Sequence, residues 1–302
     1  MDATRRQLVA TAAAAALTPT LAMGQAVGLI TKPIPSSGER LPVVGVGTAR
    51  RYEAAPSEAE RKPLRDTLQR FHQLGGKVID TAPSYGDAEA IVGGLIADLG
   101  VRSALFLATK VGADDKAAGQ AQIEDSFRKL RTDRIDLFSV HNLRDTANQL
   151  ATLRDLKAAG RIRYVGATTS FDQQYADFEA MMRRETLDVI QIDYALDNRG
   201  SADRILPLAL ERRMGVMVNL PFGRSRLFQA TQGKPLPDWA AEIDCTTWAQ
   251  VFLKYVVSHP AVICAVPGMA QARYVDDNLG AARGRLPDAA LRRRMEQYID
   301  SI

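Results

Sequence analysis

Four side chains in the sequence could together protonate a carbonyl oxygen, and they follow three neighbouring apolar runs of the chain. These are Asp80, Tyr85, Lys110 and His141. A phenol has a pKa of about 10, and a nearby lysine ammonium lowers that pKa by stabilising the phenolate. A carboxylate can hold the lysine charged, and an imidazole can orient a carbonyl oxygen beside the phenol. The set contains no nucleophile, so it predicts proton donation to a carbonyl oxygen while a hydride attacks the carbon.

The elements that must position these residues alternate between short apolar runs and stretches with helical spacing. The apolar runs are Val43–Val46, Val78–Ile79, Ala104–Ala108, Ile135–Val140, Ile162–Ala167, Val189–Ile192, Gly215–Val218 and Val262–Val266. The helical stretches include Pro63–Leu74, Ala88–Leu99, Ile123–Leu130 and Asp145–Ala159. Strands buried on both faces that alternate with helices pair in parallel through crossover connections. Eight such units in about 250 residues predict an α/β fold, a (β/α)₈ TIM barrel.

Two further elements and one rival complete the predicted fold. Leu29–Ile34 and Arg40–Val44 flank a turn-rich cluster and predict an N-terminal β-hairpin, and Ala289–Ile299 predicts a C-terminal helix. The rival is a doubly wound sheet, which would prefer a third glycine after Gly45 and Gly47, and none follows at the required place. In a TIM barrel the active site lies at the C-terminal ends of the strands, where the four polar side chains fall.

The sequence around Tyr85 resembles a signature of the aldo/keto reductase superfamily. Asp80-Thr-Ala-Pro-Ser-Tyr85-Gly86-Asp-Ala-Glu89 matches the pattern D-T-A-x-x-Y-G-x-x-E, and Lys110 and His141 fall at the expected strand ends. The resemblance implies that Tyr85 is the general acid, that Lys110 and Asp80 tune it, and that His141 orients the carbonyl. The implied activity is the reduction of an aldehyde or ketone to an alcohol by an NAD(P)-dependent oxidoreductase.

The resemblance covers residues 29–281 in order, and it also implies a site for an extended dinucleotide across the top of the barrel. NADPH is the expected cofactor, NADH stays open as an alternative, and no metal is expected. Gln191 and the polar residues after the fifth barrel strand would bind the nicotinamide amide, while later segments would hold the pyrophosphate and the adenosine. The implied cofactor-binding residues are Thr48, Thr168, Thr169, Gln191, Pro221, Phe222, Gly223, Arg224, Gly268, Asp277 and Asn278.

Several positions depart from the pattern of the family. Asn219 stands where an aromatic side chain usually stacks on the nicotinamide, and Leu220 replaces the neighbouring serine. Met269 and Tyr274 occupy two places around the 2′-phosphate that usually carry small polar or basic residues, for which Arg273, Arg224 or Arg226 are candidate substitutes. These departures keep an alternative open, an exported non-catalytic protein that binds the nicotinamide cofactor or acts as a sensor on the same fold.

The composition is that of an ordinary globular protein. The 302 residues are 46% hydrophobic and 25% charged, and 39 basic against 35 acidic residues give a net charge of +4. The charges are interspersed, which argues against nucleic acid as a partner. Three histidines and two cysteines are not spaced as metal ligands. Cys245 and Cys264 adjoin apolar or helical segments, which favours buried free thiols over a disulfide.

Residues 1–26 differ in character from the rest of the chain. Arg5 and Arg6 precede a soft run of alanine and leucine, and small residues near Ala26 suit a peptidase. The run is too weakly apolar for a stable membrane span and resembles a twin-arginine (Tat) signal peptide. We therefore expect the Tat export machinery and a signal peptidase as partners, besides a small carbonyl substrate. The mature domain, residues 27–302, would be periplasmic or secreted.

Overall fold

The computed structural model describes residues 28–302, and within them a closed barrel of eight parallel strands confirms the predicted fold class. The barrel strands are β3 Val46–Gly47, β4 Val78–Asp80, β5 Phe106–Val111, β6 Ile135–His141, β7 Ile162–Thr168, β8 Val189–Asp193, β9 Gly215–Asn219 and β10 Val262–Ala265. Each strand pairs with its neighbour in chain order. Parallel bridges from Val44 to Ala265 and from Gly47 to Gly268 join the last strand to the first.

Helices surround the barrel and follow the strands along the chain. They are α1 Glu58–Gln73, α2 Ala88–Leu99, α3 Lys116–Lys129, α4 Thr146–Ala158, α5 Tyr175–Arg184, α6 Ser201–Glu211, α7 Arg226–Ala230, α8 Trp248–Ser258, α9 Ala272–Gly280 and α10 Ala289–Asp300. Every helical stretch named from the sequence lies on one of them, and α10 is the predicted C-terminal helix. Helix α1 begins five residues before the predicted Pro63, because Ser57 and Glu60 form a capping box that adds a polar first turn.

The predicted hairpin covers the N-terminal end of the barrel. Strands β1 Thr31–Pro33 and β2 Arg40–Pro42 pair antiparallel, and Ile34 and Leu41 add their side chains to the inner core. Lys32 fixes the hairpin, because its Nζ donates to the backbone oxygens of Val257, His259 and Val262 at 2.7, 2.8 and 2.9 Å. We call this hairpin end the base of the barrel and the opposite end, formed by the C-terminal ends of β3–β10, the mouth.

Two hydrophobic cores explain why the strands are continuous apolar runs. An outer core lies between the strands and the helices and includes Ile79, Leu107 and Val140. The inner core fills the barrel and includes Val78 and Ala108. Successive residues of a strand point to opposite faces, so alternate positions belong to alternate cores. A polar side chain two residues beyond an inner-core residue therefore lies on the inner face.

The described residues contain no obvious metal site or membrane helix. Among residues 28–302, no helix is both long enough and apolar enough to cross a membrane. In the same range no group of three or more His, Cys, Asp or Glu side chains could hold a metal ion. Cys245 and Cys264 are buried free thiols, as predicted. The predicted signal at residues 1–26 lies outside the described residues.

Candidate active site

The alternation of the strands places the predicted acid–base residues inside the mouth. Asp80 ends β4 two residues after inner-core Val78, and Lys110 lies two residues after inner-core Ala108 on β5. His141 ends β6 four residues after inner-core Leu137 and so points to the same face. Three polar groups thus reach the mouth from three neighbouring strands, as the sequence predicted.

Lys110 and Asp80 form a buried ion pair. The Lys110 Nζ donates to both carboxylate oxygens of Asp80 at 2.9 Å and to the backbone oxygen of Thr81 at 2.7 Å. Both residues are buried, with 2% and 6% of their surfaces exposed. Burial opposes the charge of Lys110, but Asp80 and Tyr85 outweigh it and raise the pKa of the lysine. Lys110 therefore stays a cation at the bottom of the site.

Tyr85 lies beside this pair on the loop between β4 and α2. The Lys110 Nζ is 5.1 Å from the centroid of the Tyr85 ring. Gly86 fixes the loop, because its φ is +56° and a Cβ there would lie 2.5 Å from the backbone oxygen of Glu53. Burial raises the pKa of Tyr85, and the charge of Lys110 offsets only part of that rise. The expected net lowering of the phenol pKa is therefore not found, and the phenol keeps its proton at neutral pH.

His141 faces Tyr85 across the mouth as a neutral imidazole. The two rings meet edge to face with their centroids 6.2 Å apart. Burial lowers the pKa of His141 to about 3, and the cations Lys110 and Arg144 add to that effect. A neutral imidazole can donate one hydrogen bond without adding a charge, which suits binding to a carbonyl oxygen.

Thr168 and Gln191, two of the implied cofactor residues, lie on the inner face of the barrel beside His141. His141, Thr168 and Gln191 are register partners on β6, β7 and β8, so they lie at one level of the barrel. The Nε2 atom of Gln191 is buried and has no hydrogen-bond partner among the described residues. A buried donor without a partner is costly, so this atom fits a site that a ligand completes.

Two implied cofactor residues instead bind within the protein. The Thr48 hydroxyl is buried and donates to the backbone oxygen of Asp80 at 3.0 Å, so it holds the end of β4. The Thr169 hydroxyl donates to Gln174 Oε1 at 2.5 Å and accepts from the Phe171 amide at 3.2 Å. Both hydroxyls shape the mouth through these contacts.

The last implied cofactor segment lies between β10 and α9. Gly268 is exposed just after β10, and Asn278 is buried on α9. The Asp277 Oδ1 accepts from Thr247 Oγ1 at 2.7 Å and from Gln250 Nε2 at 3.0 Å. Asp277 therefore fastens α9 to the start of α8, a contact that joins residues 30 positions apart.

The implied pyrophosphate loop follows β9 and is packed from below. Pro221 is buried, and the Phe222 ring lies 4.9 Å from that of Phe228. Gly223 has a φ of +56°, and a Cβ there would lie 2.2 Å from Asp197 Oδ1. Only glycine allows the loop to pass this close to the carboxylate.

The candidate arginines for a 2′-phosphate have different surroundings. Arg226 Nε donates to Asp197 Oδ2 at 2.8 Å, and the Arg273 guanidinium lies 4.9 Å from the centroid of the Tyr274 ring. Arg224 is exposed, with a φ of +53°. The contact with Asp197 holds Arg226 beside the loop, while Arg273 and Tyr274 form one exposed pair on α9.

Glu89 belongs to the sequence motif around Tyr85, but the sequence indicated no role for it. The structure buries its carboxyl group, which accepts from Thr109 Oγ1 at 2.6 Å and from Ser126 Oγ at 3.2 Å. Burial raises the pKa of Glu89. Because Thr109 precedes Lys110, this contact supports the strand that carries the lysine. The signal in the sequence was an acidic residue on the apolar helix α2.

Comparisons with known proteins agree with this architecture. The sequence model of the aldo/keto reductase family matches residues 43–297. The methylglyoxal reductase YeaE of Escherichia coli is 32% identical over 272 residues, covering 86% of this chain and 92% of its own. An aldo/keto reductase from Klebsiella pneumoniae, crystallised with NADP and acetate, has a TM-score of 0.74 at 27% identity, covering 87% of this chain and 93% of its own. A second aldo/keto reductase from the same organism, crystallised with NADPH, has a TM-score of 0.75 at 24% identity. The match covers 91% of this chain and 96% of that protein, and at this identity it supports the fold alone.

Proposed function

The chain belongs to the aldo/keto reductase family, and on that premise we propose that it reduces a small aldehyde or ketone to the alcohol with NADPH. The observation that carries this proposal is the buried Lys110–Asp80 pair beside the protonated phenol of Tyr85. This pair does not serve packing alone, because burying the charges of Lys110 and Asp80 costs free energy.

In this proposal Tyr85 donates its proton to the carbonyl oxygen. His141 binds the same oxygen through its N–H and aligns the carbonyl. As the proton leaves, Lys110 stabilises the phenolate of Tyr85, and Asp80 holds the lysine in position. Tyr85 then regains a proton from solvent. When bound, the cofactor supplies the hydride that adds to the carbonyl carbon.

The residues present fit a nicotinamide cofactor. Gln191 offers a buried donor that has no acceptor among residues 28–302, and Thr168 lies at the same level of the mouth. The loop with Phe222 and Gly223 and the segment from Gly268 to Asn278 would hold the rest of the dinucleotide. The neighbour crystallised with NADP supports NADPH as the first cofactor to test.

The name of one relative supports the proposed substrate class. Methylglyoxal is a small 2-oxoaldehyde, and the relative YeaE is named for its reduction. We propose small, activated carbonyl compounds of this kind as substrates of the present chain.

The experiment combines cofactor titration with a single turnover. Calorimetry of the purified protein with NADPH and NADH precedes the reduction of methylglyoxal, and we expect binding and turnover. Tyr85→Phe should lower the single-turnover rate at least ~100-fold, the contribution of a general acid, with an unchanged dissociation constant for NADPH. Tyr164→Phe, a tyrosine at the base, is the matched control and should keep the rate. Binding without turnover would contradict the reductase and favour the non-catalytic sensor.

We also propose that residues 1–26 form a Tat signal and that residues 27–302 are the exported domain. The arginine pair and the weakly apolar run that follows support this proposal. Fusion of residues 1–26 to a reporter protein should send the reporter to the periplasm, and replacing Arg5 and Arg6 by lysine should retain it in the cytoplasm. Export of the fusion through the general secretory route, unchanged by the lysine replacements, would contradict the proposal.

A further inference from the structure

We infer that Asn219 binds the carboxamide of the nicotinamide ring, accepting a hydrogen bond from its amino group while Gln191 donates to its oxygen. The inference rests on the proposed function, because it requires a nicotinamide cofactor at the mouth. It assigns a binding role to Asn219, which stands where the family usually has an aromatic ring stacked on the nicotinamide.

The first observation is a pair of unused polar atoms of opposite character. The Nε2 atom of Gln191 and the Oδ1 atom of Asn219 are both buried, and neither has a hydrogen-bond partner among the described residues. The first is a donor and the second is an acceptor. They do not bond to each other, so both stay available to a third group.

The second observation is that both side chains lie on the inner face at the mouth. Gln191 on β8 is the register partner of Met217 on β9, and Met217 belongs to the inner core. Asn219 lies two residues beyond Met217 and so points to the same face. Two residues along a strand and one step between strands separate the Cα atoms of Gln191 and Asn219 by ~8 Å. Two amide side chains can reach one small group across that distance.

A group that fits between Gln191 and Asn219 must offer both a hydrogen-bond acceptor and a donor. A primary carboxamide carries one oxygen acceptor and one amino donor on the same carbon, the complement of a donor and an acceptor on neighbouring strands. An aromatic ring at position 219 would contact the face of the nicotinamide and would not distinguish the two ends of its amide. Asn219 does distinguish them, so the two hydrogen bonds would fix which end of the carboxamide faces each strand.

The experiment compares NADPH with its reduced 3-acetylpyridine analogue, in which a methyl group replaces the amino group of the carboxamide. Calorimetry gives the dissociation constant of each ligand for the native protein, and we expect the analogue to bind about fivefold to tenfold more weakly, the range for one hydrogen bond. In Asn219→Leu the two ligands should bind equally within about twofold. In Asn219→Asp the acceptor remains, so the preference for NADPH should remain, even if the added charge beside Asp193 weakens both ligands.

Met217→Leu is the matched control, because it changes the same strand and face without touching a polar group. It should keep the preference of the native protein. Equal binding of the two ligands by the native protein would overturn the inference without any variant, and so would an unchanged preference in Asn219→Leu. If the native protein bound neither NADPH nor NADH, the proposed function itself would fail, and the inference would fail with it.

Discussion

The two ends of the barrel differ in whether their buried polar groups have hydrogen-bond partners. At the base, Asp136 accepts from Arg102, Arg163 and the Leu107 amide at 3.1, 2.9 and 2.8 Å, and Lys32 donates to three carbonyl oxygens. At the mouth, buried polar atoms of Thr81, Gln191 and Asn219 have no partner among residues 28–302.

This difference separates stability from function within one fold. Polar groups that the protein itself satisfies fix its architecture, whereas polar groups left unsatisfied cost stability and are retained where a ligand binds. Lys110 and Asp80 are one exception, since they lie at the mouth and are fully paired. Substitutions at the two ends should therefore give different combinations of lost stability and lost activity.

The largest combined effect is expected at this exception. Lys110→Met leaves the Asp80 carboxylate buried without a counter-charge, which should lower the free energy of unfolding by about 3 kcal/mol and abolish reduction. Urea denaturation and single-turnover kinetics measure the two losses. The double variant Asp80→Asn/Lys110→Met removes both charges, so it should regain most of the stability and none of the activity. A stable, active Lys110→Met protein would remove the pair from the mechanism.

A substitution at the base should affect stability alone. Asp136→Asn removes the charge that binds two arginines, and we expect the free energy of unfolding to fall by about 2 kcal/mol while kcat/KM is unchanged. Asp125→Asn is the control, because its pair with Lys129 is partly exposed on α3 and should contribute under about 1 kcal/mol. A large loss of kcat/KM in Asp136→Asn would show that the base is coupled to the mouth.

The smallest effect concerns acid stability at the base. Burial lowers the pKa of His259 to about 4, and Arg292 and Lys32 add to the shift. Its Nδ1 accepts from the Ala261 amide at 3.2 Å, a contact that a proton on this atom would break. Between about pH 6.5, the usual pKa of histidine, and about pH 4, His259 binds a proton in the unfolded chain but not in the folded protein. The stability should therefore fall between pH 6.5 and pH 4.

Urea denaturation at pH 7, 5.5 and 4.5 measures this fall. His259→Gln keeps a polar side chain but cannot titrate, so its stability should change less over the same range. Parallel pH curves for the native protein and the variant would assign the acid sensitivity to other groups.

The barrel and the position of Asp80, Lys110 and His141 at its mouth were predictable because they depend on local patterns. Each apolar run named from the sequence lies on or beside a barrel strand, since strands buried between two cores need apolar residues on both faces. Asp80, Lys110 and His141 interrupt that pattern at the strand ends, which made them visible. Helix α3 begins at Lys116, seven residues before the predicted Ile123, because its first turns are capped by Asp115 and carry no large apolar side chain that would show helical spacing.

Other properties of the site depend on packing between distant segments. No local pattern shows that Asp277 binds Thr247 and Gln250, because the contact forms only once α9 packs on α8. The pKa of Tyr85 also depends on such packing. The sequence indicates that Lys110 lies beside the phenol, but it does not show the burial, which raises the pKa more than the charge of Lys110 lowers it. That Gln191 Nε2 and Asn219 Oδ1 have no partner among the described residues likewise becomes evident only once the strands are in register.

The hairpin at the base also orders events in folding. It begins within a few residues of the predicted signal, yet the Ile30 amide donates to the oxygen of Ala282, and Lys32 binds carbonyl groups of residues 257, 259 and 262. These contacts join the hairpin to residues 257–282, so they cannot form until that part of the chain has been synthesised. The hairpin thus docks after all eight barrel strands have been made, and its docking closes the base of the barrel.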